Sequence, residues 1–228
     1  MATPASKQSA TSNSKKMPVL IAATVLMLVA LVWGGSLLLG AMEKSDAGQA
    51  ASDGLTAPDP AKAENREWTG VMELNDEKME VALFGDKAPK AVASFLQLAE
   101  TDFFAGTSCH RLTTGGFDIL QCGDPKGNGT GGPGYQFGPV ENAPPDNLYR
   151  KGTLAMARTS SPDSHGSQFF IVYGDTTIPS SDAGGYTVFG EITGGLHAVE
   201  RIAKQGTANG QPDGKPAAPA VVGAMRFH

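Results

Sequence analysis

Residues 109–124 read Cys-His-Arg-Leu-Thr-Thr-Gly-Gly-Phe-Asp-Ile-Leu-Gln-Cys-Gly-Asp. Two short apolar runs, 108–112 and 117–122, flank a Thr-Thr-Gly-Gly turn, so the stretch predicts a β-hairpin. Each arm carries one long polar side chain: Arg111 between His110 and Leu112, and Gln121 after Ile119 and Leu120. The pattern returns at Gly166-Ser-Gln-Phe-Phe-Ile-Val172, where Gln168 precedes two phenylalanines. An arginine fork and two amides framed by Phe, Ile and Met suit an apolar groove that grips a neutral polar group. They do not suit a nucleophile's pocket. A half-buried arginine costs desolvation unless its donors are used, which singles out Arg111.

Upstream, 68–74 and 78–84 predict two strands around an Asn75-Asp76-Glu77 turn. A helix is expected from Pro89, with Val92, Phe95 and Ala99 at i, i+3 and i+7; a proline there forfeits only an N–H that has no partner anyway. Downstream, strands are expected over 152–157, 168–173 and 186–192, a helix over 196–204 and a last strand over 221–227. Long Gly-, Pro- and Ser-rich connections separate them. Many short strands, two isolated helices and no βαβ alternation predict an antiparallel barrel or sandwich.

The whole chain has 228 residues and a formal charge of −5. Residues 17–42 carry no charge, and a bilayer core needs about 20 apolar residues in a helix. Lys7, Lys15 and Lys16 precede this run, and the lysine bias predicts a cytoplasmic N-terminus. A cleaved signal peptide is the competing reading, but Leu39-Gly40-Ala41 is a poor cleavage site. The resulting division is a cytoplasmic tail 1–16, a transmembrane anchor 17–41, a flexible linker 42–65 and a folded domain 66–228. The expected location is the cell membrane, crossed once, with the folded domain outside the cytoplasm. The linker's Ala, Asp, Gly, Ser and Pro bury too little apolar surface to order themselves.

Several chemistries are set aside. Gly127-Asn-Gly-Thr-Gly-Gly132 matches a dinucleotide fingerprint, but no helical pattern follows it, so it reads as a tight loop. Asp163, Ser164 and His165 are sequence neighbours, which rarely meet as a catalytic triad. The four histidines share no metal-ligand spacing with each other or with cysteine, so no metal is expected. An acidic chain without a basic stripe argues against nucleic acid. Cys109 and Cys122 admit a disulfide or two buried thiols, the restrictive geometry of cross-strand bridges tilting towards free thiols.

Taken together, these residues resemble the cyclophilin family of peptidyl-prolyl cis–trans isomerases, of a bacterial, membrane-anchored kind. The likeness runs from about residue 68 to 202. It includes Phe84-Gly-Asp-Lys-Ala-Pro-Lys90, His110-Arg111, Gln121-x-Gly-Asp124, Asn128-Gly-Thr-Gly-Gly132, Gly152-Thr-Leu-Ala-Met-Ala157, Gly166-Ser-Gln-Phe-Phe170 and Val188-Phe-Gly190. The resemblance implies a closed eight-stranded antiparallel barrel capped by two helices. It also implies rotation of X–Pro bonds in exported or surface polypeptide clients, without a cofactor, by a monomeric catalytic domain.

By position, Arg111 is similar to the family's catalytic arginine, Gln121 to its groove glutamine and Phe170 to the floor of its proline pocket. Phe117 and Ile119 fall where that pocket is lined, although the Arg-to-Gln spacing is two residues longer than in many members. Thr130, Gln168, Ala157 and Arg158 match substrate-binding positions, with Arg158 where many members have Asn. Tyr186 stands where many have His, and Ile178 roughly where some have Trp. The alternative is a membrane-tethered proline-binding chaperone module with little or no turnover.

Overall fold

Asn75 and Asp76 join β1 (Glu67–Leu74) to β2 (Glu77–Phe84) with φ of 50° and 64°. Short polar side chains tolerate that left-handed region, so the pair forms the tight turn the hairpin needs. The computed structural model describes residues 54–228. After this hairpin come α1 (Pro89–Glu100), β3 (Arg111–Thr113), β4 (Ile119–Cys122), β5 (Leu148–Tyr149), β6 (Thr153–Met156), β7 (Phe169–Val172) and β8 (Thr176–Thr177). β9 (Val188–Gly194), α2 (His197–Lys204), β10 (Asp213–Gly214) and β11 (Val222–Phe227) complete the chain.

The main sheet has nine strands in the order β10-β3-β4-β7-β6-β9-β2-β1-β11, and β5 and β8 pair separately. This corrects the expected closed eight-stranded barrel to an open, nine-stranded half-barrel with capping helices. The reason lies at β3. Its free edge pairs with β10, through Asp213 opposite Thr113 and Gly214 opposite Leu112. Pro212 and Pro216 flank β10, and proline cannot donate to a ladder, so that edge strand stays two residues long. Towards β11 the seam carries no ladder among the described residues, but an isolated bridge, Ser108 to Val221, and the Gly106 N–H donating to the Val222 carbonyl at 2.8 Å.

Strand alternation sorts the side chains. Leu112, Leu120, Leu154, Met156, Phe169 and Ile171 join the main core against α1 and α2. Their neighbours Ile119, Ala155, Phe170 and Val172 form a second apolar cluster on the other face. α1 has no side-chain cap of its own, since Ala88 stands at its N-cap. The Glu141 carboxylate takes that place, accepting from the backbone N–H groups of Lys90 and Ala91 at 3.1 Å each. An anion at the positive end of a helix satisfies donors that would otherwise lack partners.

Order begins before the position at which composition changes. Pro60–Ala63 forms a 3₁₀ helix beside α1, Ala63 is fully buried, and the Trp68 indole N–H donates to its carbonyl at 2.9 Å. Residues 60–63, assigned by composition to the flexible linker, therefore belong to the packed structure. The expected tail 1–16, anchor 17–41 and first part of the linker lie outside the described residues. Among the described residues no helix is long and apolar enough to cross a membrane. The expected transmembrane helix, membrane partner and single-pass location are corrected to that finding alone; they rested on the hydropathy and flanking lysines of residues that lie outside the described structure.

Cys109 and Cys122 are joined in a disulfide, against the tilt towards free thiols. The two cysteines are brought together because the chain before β3 converges on β4, with the His110 N–H donating to the Gln121 carbonyl at 3.1 Å and the cysteine Cα atoms 3.9 Å apart. The bridge closes a loop of sequence separation 13. A closed loop of that size restrains the unfolded chain by about 3 kcal/mol, so reduction is expected to lower Tm by about 6–12 °C. Calorimetry with and without reductant measures this, with a Cys109→Ala/Cys122→Ala variant as the insensitive control. An identical Tm in both conditions would show that the bridge does not restrain the protein.

His165 is fully buried. Its Nδ1 lies 3.2 Å from the Phe137 carbonyl, which can only accept, so Nδ1 carries the proton. Nε2 then accepts from the Thr187 hydroxyl at 3.2 Å, and this hydroxyl oxygen in turn accepts from the Glu141 N–H at 2.8 Å. Burial pushes the imidazole below its ordinary value, against the raising effect of the Phe137 carbonyl. Burial acts in the same direction on His110. The folded state thus binds a proton less readily than the unfolded chain, and stability rises with pH in that window. Tm is expected to be highest above an imidazole's ordinary value of about 6.5 and to fall as pH drops below it. A His165→Gln variant should show a shallower decline; an equal slope in variant and wild type would remove His165 as its source.

Candidate active site

The second apolar cluster carries the candidate site. Arg111 pairs across β3–β4 with Gln121, Gln121 across β4–β7 with Phe170, and Phe170 across β7–β6 with Ala155. Directly opposed residues point to the same face, so register alone sets arginine, amide and aromatic ring in one row. The row borders a cavity of about 140 Å³. Ile119, Phe117, Ile178 and Tyr186 supply its apolar walls, with Ala157 and Arg158 along one edge. Tyr186 meets Phe170 edge-on, with ring centroids 5.5 Å apart.

The longer hairpin loop is absorbed locally. Gly115 and Gly116 take φ of 84° and 102°, which glycine alone adopts freely. The Thr113 hydroxyl donates to the Phe117 carbonyl and accepts from the Ile119 N–H. This closes the turn and directs Phe117 to the cavity wall.

A chain of amides orients the polar side. Arg111 Nη1 donates to Gln121 Oε1 at 3.4 Å, and Gln121 Nε2 to Gln168 Oε1 at 2.9 Å. Gln168 Nε2 donates in turn to the carbonyls of Gly129 and Gly131 at 3.0 and 2.9 Å. The glycine-rich loop at its end is a cradle for Asp124, which accepts from the backbone N–H groups of Lys126 and Asn128 at 2.8 and 3.0 Å and from that of Gly129. Burial opposes ionisation of Asp124, but these donors and the Gly131 N–H outweigh it and hold the carboxyl below its usual range. Thr130 and Gln168 line an adjoining, larger groove of about 810 Å³. The eleven sequence-predicted positions thus fall around two connected depressions, with Gln121, Ala157 and Arg158 shared between them.

The Arg158 side chain is committed to the neighbouring loop. Its guanidinium donates to the carbonyls of Gly184, Gly185 and Thr159 and to the Ser181 hydroxyl, and lies 4.9 Å from the Tyr186 ring. It ties the 181–186 loop down over the cavity. One residue escaped the sequence reading altogether. Asp213 accepts from Arg111 Nε at 2.9 Å and from Nη2 at 2.7 Å. A Pro-Asp-Gly sequence reads as a turn, and nothing in it points to an arginine 102 positions away. The hydrogen bonds that Arg111 donates to Asp213 push the guanidinium pKa up, against the lowering effect of burial; the same bonds hold the Asp213 carboxyl below the usual range.

An apolar cup faced by a fixed guanidinium and an oriented amide can seat a small ring and direct positive charge at the amide attached to it. Comparison with known proteins agrees in kind. The family model for "Cyclophilin type peptidyl-prolyl cis-trans isomerase/CLD" matches residues 70–225. The chain belongs to the cyclophilin-type peptidyl-prolyl cis–trans isomerase family. It is 48% identical over 158 residues to the "Probable peptidyl-prolyl cis-trans isomerase B" of Mycobacterium tuberculosis, covering 64% of this chain and 50% of the relative. Its counterpart in Mycobacterium leprae is 41% identical over 186 residues, covering 76% and 60%. The chain therefore spans about half the length of the M. tuberculosis relative. A crystal structure of a cyclophilin-type isomerase from Cryptosporidium parvum superposes with a TM-score of 0.58 at 30% identity, covering 71% of this chain and 98% of that one.

Proposed function

We propose that this protein accelerates cis–trans rotation about X–Pro bonds in polypeptide clients and so assists their folding. The observation that carries the reading is the row Arg111, Gln121, Phe170, in register on one face beside an apolar cavity. Amide resonance opposes the rotation with a barrier of ~18–20 kcal/mol. Uncatalysed X–Pro isomerisation accordingly takes roughly tens to hundreds of seconds. No bond is broken, so neither a nucleophile nor a cofactor is needed.

As the imide twists, its nitrogen becomes pyramidal and gains a lone pair. A guanidinium directed at that nitrogen favours the twisted form over both planar ones, which is selective binding of the transition state. Arg111 has that role. Phe170 floors the proline pocket, with Phe117, Ile119, Ile178 and Tyr186 as walls. Gln121, oriented through Gln168, holds the carbonyl side. The backbone at Ala157 and Arg158 pins one half of the substrate while the other turns, and the groove at Thr130 takes flanking residues.

A protease-coupled assay on an Ala-Pro-Phe peptide tests the reading. The slow phase of cleavage should disappear as protein is added. A slow phase that persists while the peptide binds would overturn catalysis and leave a proline-binding module.

A further inference from the structure

We propose that Asp213 is the positioning residue of the isomerase site, clamping the outer edge of the Arg111 guanidinium so that its inner edge faces the proline cavity. The proposal rests on the isomerase reading above and adds to it a residue from the far end of the chain. Two parallel bonds define the clamp: Oδ1 accepts from Nε at 2.9 Å and Oδ2 from Nη2 at 2.7 Å. A bidentate carboxylate fixes the plane of a guanidinium as well as its place. Nη1 is left outside the clamp, 3.4 Å from Gln121 Oε1, on the side that borders the cavity. Carboxylate and amide thus hold the fork from two sides, and a rotation about its terminal bonds breaks one or the other.

The clamp is itself held. Asp213 and Gly214 pair with Thr113 and Leu112, on the strand that carries Arg111. The Thr114 N–H donates to the Pro212 carbonyl at 2.8 Å, just before the clamp. Around it the 206–217 loop closes through Ala208 N–H to the Lys215 carbonyl at 2.8 Å and Ala217 N–H to the Gly206 carbonyl at 2.9 Å. Gly214 packs against Asn209, where a Cβ would meet the side-chain oxygen at 2.7 Å. The carboxylate therefore sits on a built support and not on a loose tail.

Stability does not explain the pair. The side chains are 39% and 55% exposed, and ion pairs so exposed add little to folding. Nor does charge, since a carboxylate beside the guanidinium weakens the positive field at the cavity. Orientation remains. A site in which the donor already points at the reacting nitrogen spends nothing on arranging it during the reaction, and small misplacements of such groups are costly.

The experiment uses the full chain and NMR exchange spectroscopy on an Ala-Pro peptide, which reads binding and on-enzyme rotation separately. Asp213→Ala should slow rotation about tenfold while leaving peptide Kd within about twofold, because the lost alignment matters only in the transition state. Asp213→Asn should lose as much, since its amide group opposes a guanidinium N–H, and Asp213→Glu should recover part of the rate. In an Arg111→Ala background, Asp213→Ala should have no further effect, because a positioning residue acts through the group it positions. Tm of every variant should stay near that of wild type. An unchanged rotation rate in Asp213→Ala, or an equal loss with and without Arg111, overturns the clamp while wild-type activity keeps the isomerase reading. A wild type that binds peptide without rotating it overturns both.

Discussion

Arg111→Ala should lower kcat/KM on an Ala-Pro-Phe peptide by roughly one to two decades, with the fold intact. A charge-assisted hydrogen bond contributes ~1.5–3 kcal/mol, and each ~1.4 kcal/mol of barrier is a factor of ten. The loss should fall mainly on kcat, because the planar ground states gain little from a donor aimed at a pyramidal nitrogen. Arg111→Lys should recover little. A lysine has no fork, so it cannot engage Asp213 at two points and Gln121 at a third. The check is the protease-coupled rate set beside far-UV circular dichroism. Turnover within about twofold of wild type would remove Arg111 from the mechanism.

Phe95→Ala should cost about 3–5 kcal/mol of folding stability, the range for deleting a buried phenyl ring. Phe95 is 2% exposed on the inner face of α1. Its ring centroid lies 5.0 Å from those of Phe104 and Phe189, 5.4 Å from that of Phe169 and 5.8 Å from that of Phe227. These rings come from the segment after α1 and from β7, β9 and β11, so one side chain ties the helix to three strands. The cavity left behind cannot collapse without moving all of them. Against a typical total of 5–15 kcal/mol, the loss is a large part of what the domain has. Urea denaturation should show the midpoint falling with the slope unchanged; a change below about 1 kcal/mol would mean that the cluster repacks freely. Because Phe169 belongs to this cluster and Phe170 to the cavity, the variant should also loosen the site at temperatures well below its Tm.

The adjacent phenylalanines show how far local pattern reaches. Alternation along 168–172 already assigns Phe169 and Phe170 to opposite faces, and the same period places Arg111 and Gln121 away from Leu112 and Leu120. The helix from Pro89, the hairpin at Asn75-Asp76 and the final strand were likewise legible, each from a signal contained within a dozen residues. The grouping of the candidate side chains came from the family resemblance and not from local pattern. The two-residue strands β5, β8 and β10 were not legible, since two residues carry no period. The 3₁₀ helix at Pro60–Ala63 was hidden for another reason: its order comes from packing on α1 and from the Trp68 indole, not from its own composition.

The sequence alone carried the family, through the likeness of its ordered motifs, and the strand faces, because hydrophobic period and turn chemistry act between near neighbours. The tertiary structure alone decided the open seam, the Cys109–Cys122 bridge, the Glu141 cap on α1 and the Asp213 clamp on Arg111. The seam, the cap and the clamp join groups to partners whose positions depend on the path of Gly- and Pro-rich loops, and the bridge depends on how the chain before β3 meets β4. A loop's path is set by what both its ends pack against, and that information exists only once the sheet has formed.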